Sequence, residues 1–342
     1  MCKSKKGDLM IYLDNAATGG FKPHQVLETT QNVIRYLSAN SGRSGHRLSI
    51  TGAEIIYDCR KVLSRLFGCP TEKVIFTKNC TEALNLAILG TLKKGGHVIT
   101  TVYEHNSVLR PLNYLKENGL ITLDIIDDDV INLPREIAKK IKPETYLIVL
   151  NTVSNVTGER LPVKEIGKIA KENNLLFLCD GAQGAGHVKL SLKEDGISML
   201  SIAGHKGLYG IMGSGALLIA DGVDVNPVLC GGTGTESFNL TQPNCYPEKL
   251  ESGTLSLPAI ASLNEGAKYL ENNFENFSNV LYQITENVID KLSINPNIIC
   301  YSKPNFSGIV SFMLKDRECG EIADILATEY DIALRSGFHC AP

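Results

Sequence analysis

The stretch from residue 197 to residue 215 limits the possible folds more than any other, because an apolar run leads straight into a lysine among glycines. The run from Ile197 to Ala203 is typical of a buried strand. It ends at Gly204-His205-Lys206-Gly207, and further glycines follow at positions 210, 213 and 215. This composition allows the backbone to turn tightly and another group to approach it closely.

Two interpretations of Lys206 are open from this stretch alone. An unpaired ammonium is costly to bury, so a lysine directly after a buried strand is unusual. It can instead form a Schiff base with an aldehyde cofactor, a role that requires a desolvated lysine with a lowered pKa. The alternative is an ordinary surface lysine on a glycine-rich loop.

The middle of the chain alternates between strand-like and helix-like patterns. Apolar segments typical of buried strands begin at Val74, Val98, Ile121, Tyr146 and Leu175, and helical patterns separate several of them. Such alternation favours a mostly parallel sheet with helices on both faces. In an open sheet of this kind the ligand binds beyond the carboxyl ends of the strands.

Polar residues follow the predicted strands at 104–106, 151–155, 180–183 and 205–206. Because the carboxyl ends of parallel strands share one edge, we expect these groups to converge on a common rim. Near Thr81 a further strand runs into an apolar helix, where free backbone N–H groups and the threonine hydroxyl can bind an anion. A plain helix cap is the alternative there.

The pattern changes from Pro258 onward. A long helical pattern reaches about residue 292, strand-like segments follow at 298–301 and 308–314, and a helix at 318–330 precedes a last strand at 332–335. This order predicts a small α+β domain formed by residues 1–19 and 259–342. Residues 20–258 are expected to form the large domain.

Composition narrows the class of protein. The 342 residues are 43% hydrophobic and 21% charged, with a formal net charge of -3, which suits one large and one smaller domain. This balance provides no basic footprint for nucleic acid or an anionic membrane. No apolar run approaches the roughly 18 residues of a membrane span, and the N-terminus lacks a signal-peptide core. The ten cysteines form no CxxC pair, so we expect reduced thiols and a cytoplasmic location, with no metal site.

Each rim residue has a chemical use if the cofactor is pyridoxal 5'-phosphate. Lys206 would hold the aldehyde, and Asp180 would keep the pyridine nitrogen protonated, making the ring an electron sink. His105 would stack on the ring, and Asn155 and Gln183 would donate to its hydroxyl. Thr81, with the backbone N–H groups of Asn79 and Cys80, would bind its phosphate.

Six motifs, in order along essentially the whole chain, resemble the class V aminotransferases of fold type I. Within them, the chain is most similar to cysteine desulfurases of the group that includes selenocysteine lyases. The motifs are Tyr12-Leu-Asp-Asn-Ala-Ala-Thr, Thr81-Glu-Ala-Leu-Asn-Leu-Ala, Glu104-His105, Asp180-Gly-Ala-Gln183, Gly204-His205-Lys206 and Arg335-Ser-Gly-Phe-His-Cys340-Ala-Pro.

The resemblance implies an α/β fold type I enzyme that converts L-cysteine to L-alanine and leaves a persulfide on Cys340. Arg335 would bind the substrate carboxylate, with Asn15, Ala16 and Asn155 also at the substrate. His205 would belong to the cofactor site. The family's short-loop members hand sulfur to an acceptor protein, so such a partner is expected.

The resemblance also implies a homodimer. In the family, a Gly-Thr pair of the second subunit reaches the cofactor phosphate, and its match here is Glu251-Ser-Gly-Thr254. An isologous twofold contact would bring Thr254 across to the neighbouring site.

Two departures from the family pattern affect these expectations. The family usually has Ser or Thr directly before Gly-His-Lys, where its hydroxyl binds the phosphate, and this chain has Ala203 there. Ser201 lies on the same strand face two residues earlier and is the expected cofactor-binding replacement. Family members also usually continue for some tens of residues past the cysteine motif. We therefore expect a shortened small domain, a last strand without neighbours, a mobile Cys340 and low desulfurase activity with cofactor binding intact.

Three other functions remain open from the sequence. The first is selenocysteine lyase, with the same cofactor. The second is another class V aminotransferase or lyase in which Cys340 is incidental. The third is a weakly active scaffold that binds pyridoxal phosphate, which the short C-terminus suggests.

Overall fold

The computed structural model describes residues 10–37, 39–41, 44–236 and 238–341. The strands are β1 (Ile11–Tyr12), β2 (Val74–Thr77), β3 (Gly96–Thr101), β4 (Ile121–Ile126), β5 (Thr145–Asn151), β6 (Leu176–Asp180), β7 (Met199–Ala203), β8 (Gly215–Ile219), β9 (Ile298–Cys300), β10 (Phe312–Leu314) and β11 (Ile332–Ala333). The helices are α1 (His24–Tyr36), α2 (Arg47–Phe67), α3 (Cys80–Gly90), α4 (Asn106–Glu117), α5 (Leu133–Lys140), α6 (Val163–Glu172), α7 (Leu257–Ser293) and α8 (Cys319–Glu329).

Seven strands form the central sheet in the order β2-β8-β7-β6-β5-β3-β4. All neighbouring strands are parallel except β8, which runs antiparallel to both β2 and β7. The predicted mostly parallel sheet is therefore confirmed. Since β3, β5, β6 and β7 run in one direction, their carboxyl ends lie at one edge of the sheet, where the polar residues were expected.

Both faces of the sheet are covered by helices. On one face, buried residues of the central strands such as Phe177 and Leu200 pack in one cluster with Ile137 of α5 and Ile166 of α6. The opposite face packs against α3 and α4. Each fully buried aliphatic side chain stabilises the fold by about 1.5–3 kcal/mol, so this two-sided core holds the strand ends in place.

A single helix, α7, joins the core to the C-terminal segment. It spans 37 residues, and residues of its first half, including Ile260 and Leu263, are buried in the core beneath the sheet. Farther along, Thr285 Oγ1 donates to the Asn305 carbonyl at 3.0 Å. The long helical pattern is thus one continuous element, and the domain boundary near residue 258 stays a prediction.

The first and last strands of the described chain pair with each other. β1 and β11 are parallel, with Ile11 opposite Ile332 and Tyr12 opposite Ala333. The prediction of a last strand without neighbours is therefore wrong, because the N-terminal strand covers one of its edges. β9 and β10 form a separate antiparallel pair.

Three further features concern the described residues alone. Their helices include none that is long and apolar enough to cross a membrane. They contain no group of three His, Cys, Asp or Glu side chains suited to a metal ion. Their cysteines are free, with Cys59, Cys69, Cys80 and Cys179 buried.

Candidate active site

Lys206 lies in a tight turn directly after β7. A Cβ atom added to Gly207 would lie 2.6 Å from the Ala185 carbonyl oxygen, so this position requires glycine. The sequence predicted that another group approaches these glycines closely, and at Gly207 that group is the backbone of Ala185. This contact holds the turn against the segment that follows β6.

The surroundings of Lys206 lower its pKa and so shift its protonation equilibrium toward the neutral amine. The side chain is half-buried, and its ammonium makes no hydrogen bond or ion pair with the residues that the structure describes. Burial lowers the pKa of Lys206; the nearby Asp180 opposes this shift, and Arg335 adds to it. A neutral amine is the nucleophilic form, as an aldehyde-binding lysine requires.

Asp180, the last residue of β6, is a buried carboxylate with an open acceptor. It is 2% exposed, and its Oδ1 accepts from Ala182 N at 2.9 Å and from Cys80 Sγ at 3.3 Å. Its Oδ2 receives no donor from the described part of the chain. A buried carboxylate needs a compensating partner, so the free oxygen suits a cationic ring nitrogen.

His105 caps α4 with its imidazole ring. Its Nδ1 accepts the backbone N–H of Ser107 at 3.0 Å. Because a backbone N–H can only donate, Nδ1 carries no proton in this arrangement, and the neutral ring is protonated at Nε2. Burial lowers the pKa of His105, an effect that Asp180 opposes and Lys206 reinforces, so the ring is neutral at physiological pH.

The N-terminus of α3 offers donors to an anion. Asn79 caps the helix by accepting from Glu82 N at 2.9 Å. Among described groups, the N–H groups of Asn79, Cys80 and Thr81 have no acceptor, and the Thr81 hydroxyl lies 2.8 Å from Ser107 Oγ. Free N–H groups at a helix start bind phosphate well.

Two side-chain amides lie on the same rim. Gln183 Nε2 donates to the Ala16 carbonyl at 2.8 Å, and Asn155 Nδ2 donates to the His339 carbonyl at 2.9 Å. Asn155 Oδ1 is buried and has no hydrogen-bond partner among the residues that the structure describes. Since each amide nitrogen carries two hydrogens, both side chains keep a donor for a ligand.

The cysteine loop is docked on this rim. The Cys340 carbonyl accepts from Asn106 N, at the start of α4, at 2.8 Å. His339 and Cys340 both have left-handed backbone angles, with φ of 50° and 58°. Left-handed non-glycine residues cost of order 1–3 kcal/mol each, and here the bonds to Asn106 and Asn155 offset part of that cost. Cys340 itself is exposed.

Three further residues of the predicted site are His205, Asn15 and Arg335. His205 Nδ1 is 3.1 Å from Thr18 Oγ1, and burial lowers the pKa of His205 to about 4. Asn15 Oδ1 accepts from Gly20 N at 2.8 Å, so it stabilises the turn. Arg335 is exposed, and its guanidinium has no partner among the described residues.

The side chains of Ser201 and Thr254 form no hydrogen bond with the other candidate site residues that the structure describes. Ser201 lies opposite Asp180 in the β6–β7 pair and is fully buried, and its hydroxyl has no hydrogen-bond partner among the described residues. Thr254 is exposed, and Glu251 anchors its loop by pairing with buried Arg60 at 2.6 Å and by accepting from Phe76 N at 2.7 Å. Their cofactor roles stay predictions.

The sequence predicted no individual role for Ser107 or for Glu104. Ser107 lies in the first turn of α4, where no motif distinguishes it from a helix-start serine. Glu104 is fully buried, and its Oε1 accepts from Thr101 Oγ1 at 2.8 Å and from Asn151 N at 2.9 Å. Its Oε2 has no hydrogen-bond partner within the described part of the chain. The only signal was its place beside His105.

Glu104→Gln is expected to change how stability depends on pH. Burial raises the pKa of Glu104 from 4.5 to about 8. Between those values the folded state keeps a proton that the unfolded state has lost, so stability falls as pH rises. Glutamine removes this titration, and the variant should gain on the order of 4 kcal/mol over the wild type between pH 5 and pH 8.5. Urea unfolding at both pH values measures it; a pH-independent difference would contradict the assignment.

The chain belongs to the class V aminotransferases, because the family profile "Aminotransferase class-V" matches residues 11–342. It is 34% identical to a probable cysteine desulfurase of Pyrococcus abyssi over 97% of this chain and 85% of that protein. The apo structure of the cysteine desulfurase of Thermococcus onnurineus superposes with a TM-score of 0.87 at 32% identity, covering 97% of this chain and 85% of the other. A cysteine desulfurase of Escherichia coli in an S-sulfonic acid form gives 0.82 at 27% identity, covering 97% and 85%.

Proposed function

We propose that this protein is a cysteine desulfurase that uses pyridoxal 5'-phosphate. It converts L-cysteine to L-alanine and receives the sulfur on Cys340. One observation carries the proposal: the unpaired, half-buried Lys206 beside Asp180 shares a rim with a docked loop that presents Cys340. The similarity to the desulfurases of Pyrococcus abyssi and Thermococcus onnurineus supports the choice of reaction.

The residues of the rim fit the cofactor. Lys206 would hold its aldehyde carbon, and Asp180 Oδ2, which lacks a donor, would pair with the ring nitrogen. The orphaned Oδ1 of Asn155 marks a buried polar group that only a ligand or water can satisfy. The free N–H groups at the start of α3 would hold the phosphate.

Proton transfers divide between two side chains. When bound, the cofactor supplies an electron sink for the electron pair left by loss of the α proton. Lys206, with its pKa lowered by burial, is suited to take that proton. The His105 ring is protonated at Nε2 and therefore acts as a donor, because Nδ1 is already occupied by Ser107 N–H. Arg335 is free to hold the substrate carboxylate in a bidentate pair.

The sulfur transfer balances without an added oxidant. The Cys340 thiolate forms an S–S bond with the substrate sulfur while the Cβ–S bond of the substrate breaks. The electron pair of that bond stays with the β carbon, which takes up a proton, and Lys206 returns a proton to the α carbon, so that alanine is formed. The products are alanine and a Cys340 persulfide, whose outer sulfur would pass to a thiol of an acceptor protein and leave Cys340 as the free thiol.

The proposal also includes a homodimer and L-cysteine as the substrate. A homodimer would bring Thr254 to the neighbouring phosphate site, and the anchored Glu251 would hold its loop in position. L-Cysteine is preferred over L-selenocysteine as substrate because the similar proteins named above are cysteine desulfurases.

The test is turnover of L-cysteine by the purified protein with added pyridoxal phosphate and a thiol reductant. Alanine and sulfide should appear in equal amounts, and the protein without reductant should carry one extra sulfur by mass spectrometry. An ordinary aminotransferase would instead form a keto acid and no sulfide. A cofactor-binding scaffold would form neither product, and either result overturns the proposal.

A further inference from the structure

Ser107 connects two functional side chains that come from different helices. Its Oγ lies 2.8 Å from Thr81 Oγ1 at the start of α3 and 2.9 Å from His105 Nδ1 at the start of α4. Its backbone N–H donates to the same Nδ1 at 3.0 Å. One serine therefore contacts both the anion end of the site and the imidazole.

The directions of these hydrogen bonds can be assigned. Since His105 Nδ1 accepts the Ser107 N–H, it carries no proton and also accepts from the Ser107 hydroxyl. The Ser107 oxygen is then free to accept from Thr81. This chain of contacts holds the Ser107 hydroxyl beside the Thr81 hydroxyl at the start of α3.

Two positions on β7 are alternatives for a second hydroxyl at the phosphate. Position 203, directly before Gly204-His205-Lys206, is an alanine and provides none. Ser201 is 0% exposed within β7, between its two neighbouring strands. Among the described residues, Ser107 is the one whose side chain hydrogen-bonds the Thr81 hydroxyl.

We propose that Ser107 is a cofactor-binding residue whose hydroxyl joins Thr81 in holding the phosphate of the cofactor. This assignment rests on the proposed function, because it takes pyridoxal phosphate as the ligand. On binding, the Thr81 and Ser107 hydroxyls turn from each other toward the phosphate oxygens, while the Ser107 N–H continues to hold His105.

The test compares dissociation constants for pyridoxal phosphate and for pyridoxal, which lacks the phosphate. Ser107→Ala should weaken binding of pyridoxal phosphate by roughly tenfold or more, as expected for a hydrogen bond to a charged group. It should leave pyridoxal binding within about twofold of the wild type, since that ligand has no group for the hydroxyl to contact. Ser107→Thr keeps the hydroxyl and should restore most of the affinity.

Ser49→Ala is the matched control. Ser49 also lies in the first turn of a helix, and its N–H also donates to a capping histidine, His46, at 3.3 Å. Its hydroxyl bonds the Asn40 carbonyl at 2.8 Å, away from Thr81, so the control should bind both ligands like the wild type.

Two outcomes overturn the inference alone: unchanged phosphate-dependent binding in Ser107→Ala, or an equal loss for both ligands, which would indicate a structural role. A wild-type protein that binds neither ligand overturns the proposed function together with this inference. Because cofactor binding is measured without turnover, the role of Ser107 can still be judged if the protein has no desulfurase activity.

Discussion

Lys206→Ala is expected to abolish cysteine turnover, with a loss of roughly four orders of magnitude or more, because one side chain both holds the cofactor and moves the α proton. The visible absorbance of the lysine-linked cofactor should disappear as well. The fold should survive, since the Lys206 ammonium has no partner among the described residues and only a half-buried side chain is removed. Absorbance spectra and circular dichroism of the same sample measure both effects.

Lys73→Ala is the control for nonspecific attachment of an aldehyde to lysines. Lys73 is also half-buried, but its ammonium donates to the Val223 carbonyl at 2.6 Å, near the β2 edge of the sheet. That variant should keep the absorbance and the turnover. A Lys206→Ala protein that retains the cofactor spectrum would refute the assignment of Lys206.

The rim could be predicted from the sequence because its residues are tied to strand ends. Asp180 ends β6, Glu104 follows β3 by three residues, and Lys206 follows β7 by three. In a parallel sheet, chain direction alone brings such positions to one edge, so apolar runs and the polar residues after them were sufficient. The two-sided helical cover follows from the same alternation.

Pairings between distant segments could not be predicted. β8 is a short strand after a glycine turn, and its antiparallel direction depends on contacts with β2 and β7 rather than on local pattern. The β1–β11 pair joins the two ends of the described chain. β1 and β11 consist of two residues each, which is too short for a periodic hydrophobic pattern.

The contacts of Ser107 and Glu104 escaped prediction for a different reason. Thr81 and Ser107 meet because α3 and α4 start beside each other, a packing relation that spacing along the chain does not contain. Glu104 is an ionisable residue of a type that is usually exposed, and only the structure reveals that it is buried and that burial raises its pKa. Polar residues that contact ligands and polar residues that sit beneath them look alike in sequence.

The position of the cysteine loop could not be predicted from the sequence, and it matters for sulfur transfer. The Cys340 carbonyl bonds Asn106 N at 2.8 Å and the preceding carbonyl bonds Asn155 Nδ2 at 2.9 Å, while the mobility of Cys340 stays a prediction. These partners are far apart in sequence, so only the fold brings them together. Holding a nucleophile near its target can lower a barrier by about 7–11 kcal/mol in well-oriented systems.

Cys340→Ser should therefore eliminate persulfide and reduce alanine formation by at least about a thousandfold, because a serine hydroxyl is a far weaker nucleophile toward sulfur than a thiolate. The carbonyls of Cys340 and His339 accept from Asn106 N and Asn155 Nδ2, and the substitution leaves these backbone acceptors in place. Cofactor absorbance should still change when cysteine is added, since Lys206, Asp180 and Arg335 are intact. Cys319→Ser removes another exposed thiol and should behave like the wild type. If Cys340→Ser still carries wild-type amounts of extra sulfur by mass spectrometry, a different group accepts the sulfur, and the docked loop serves the structure rather than the reaction.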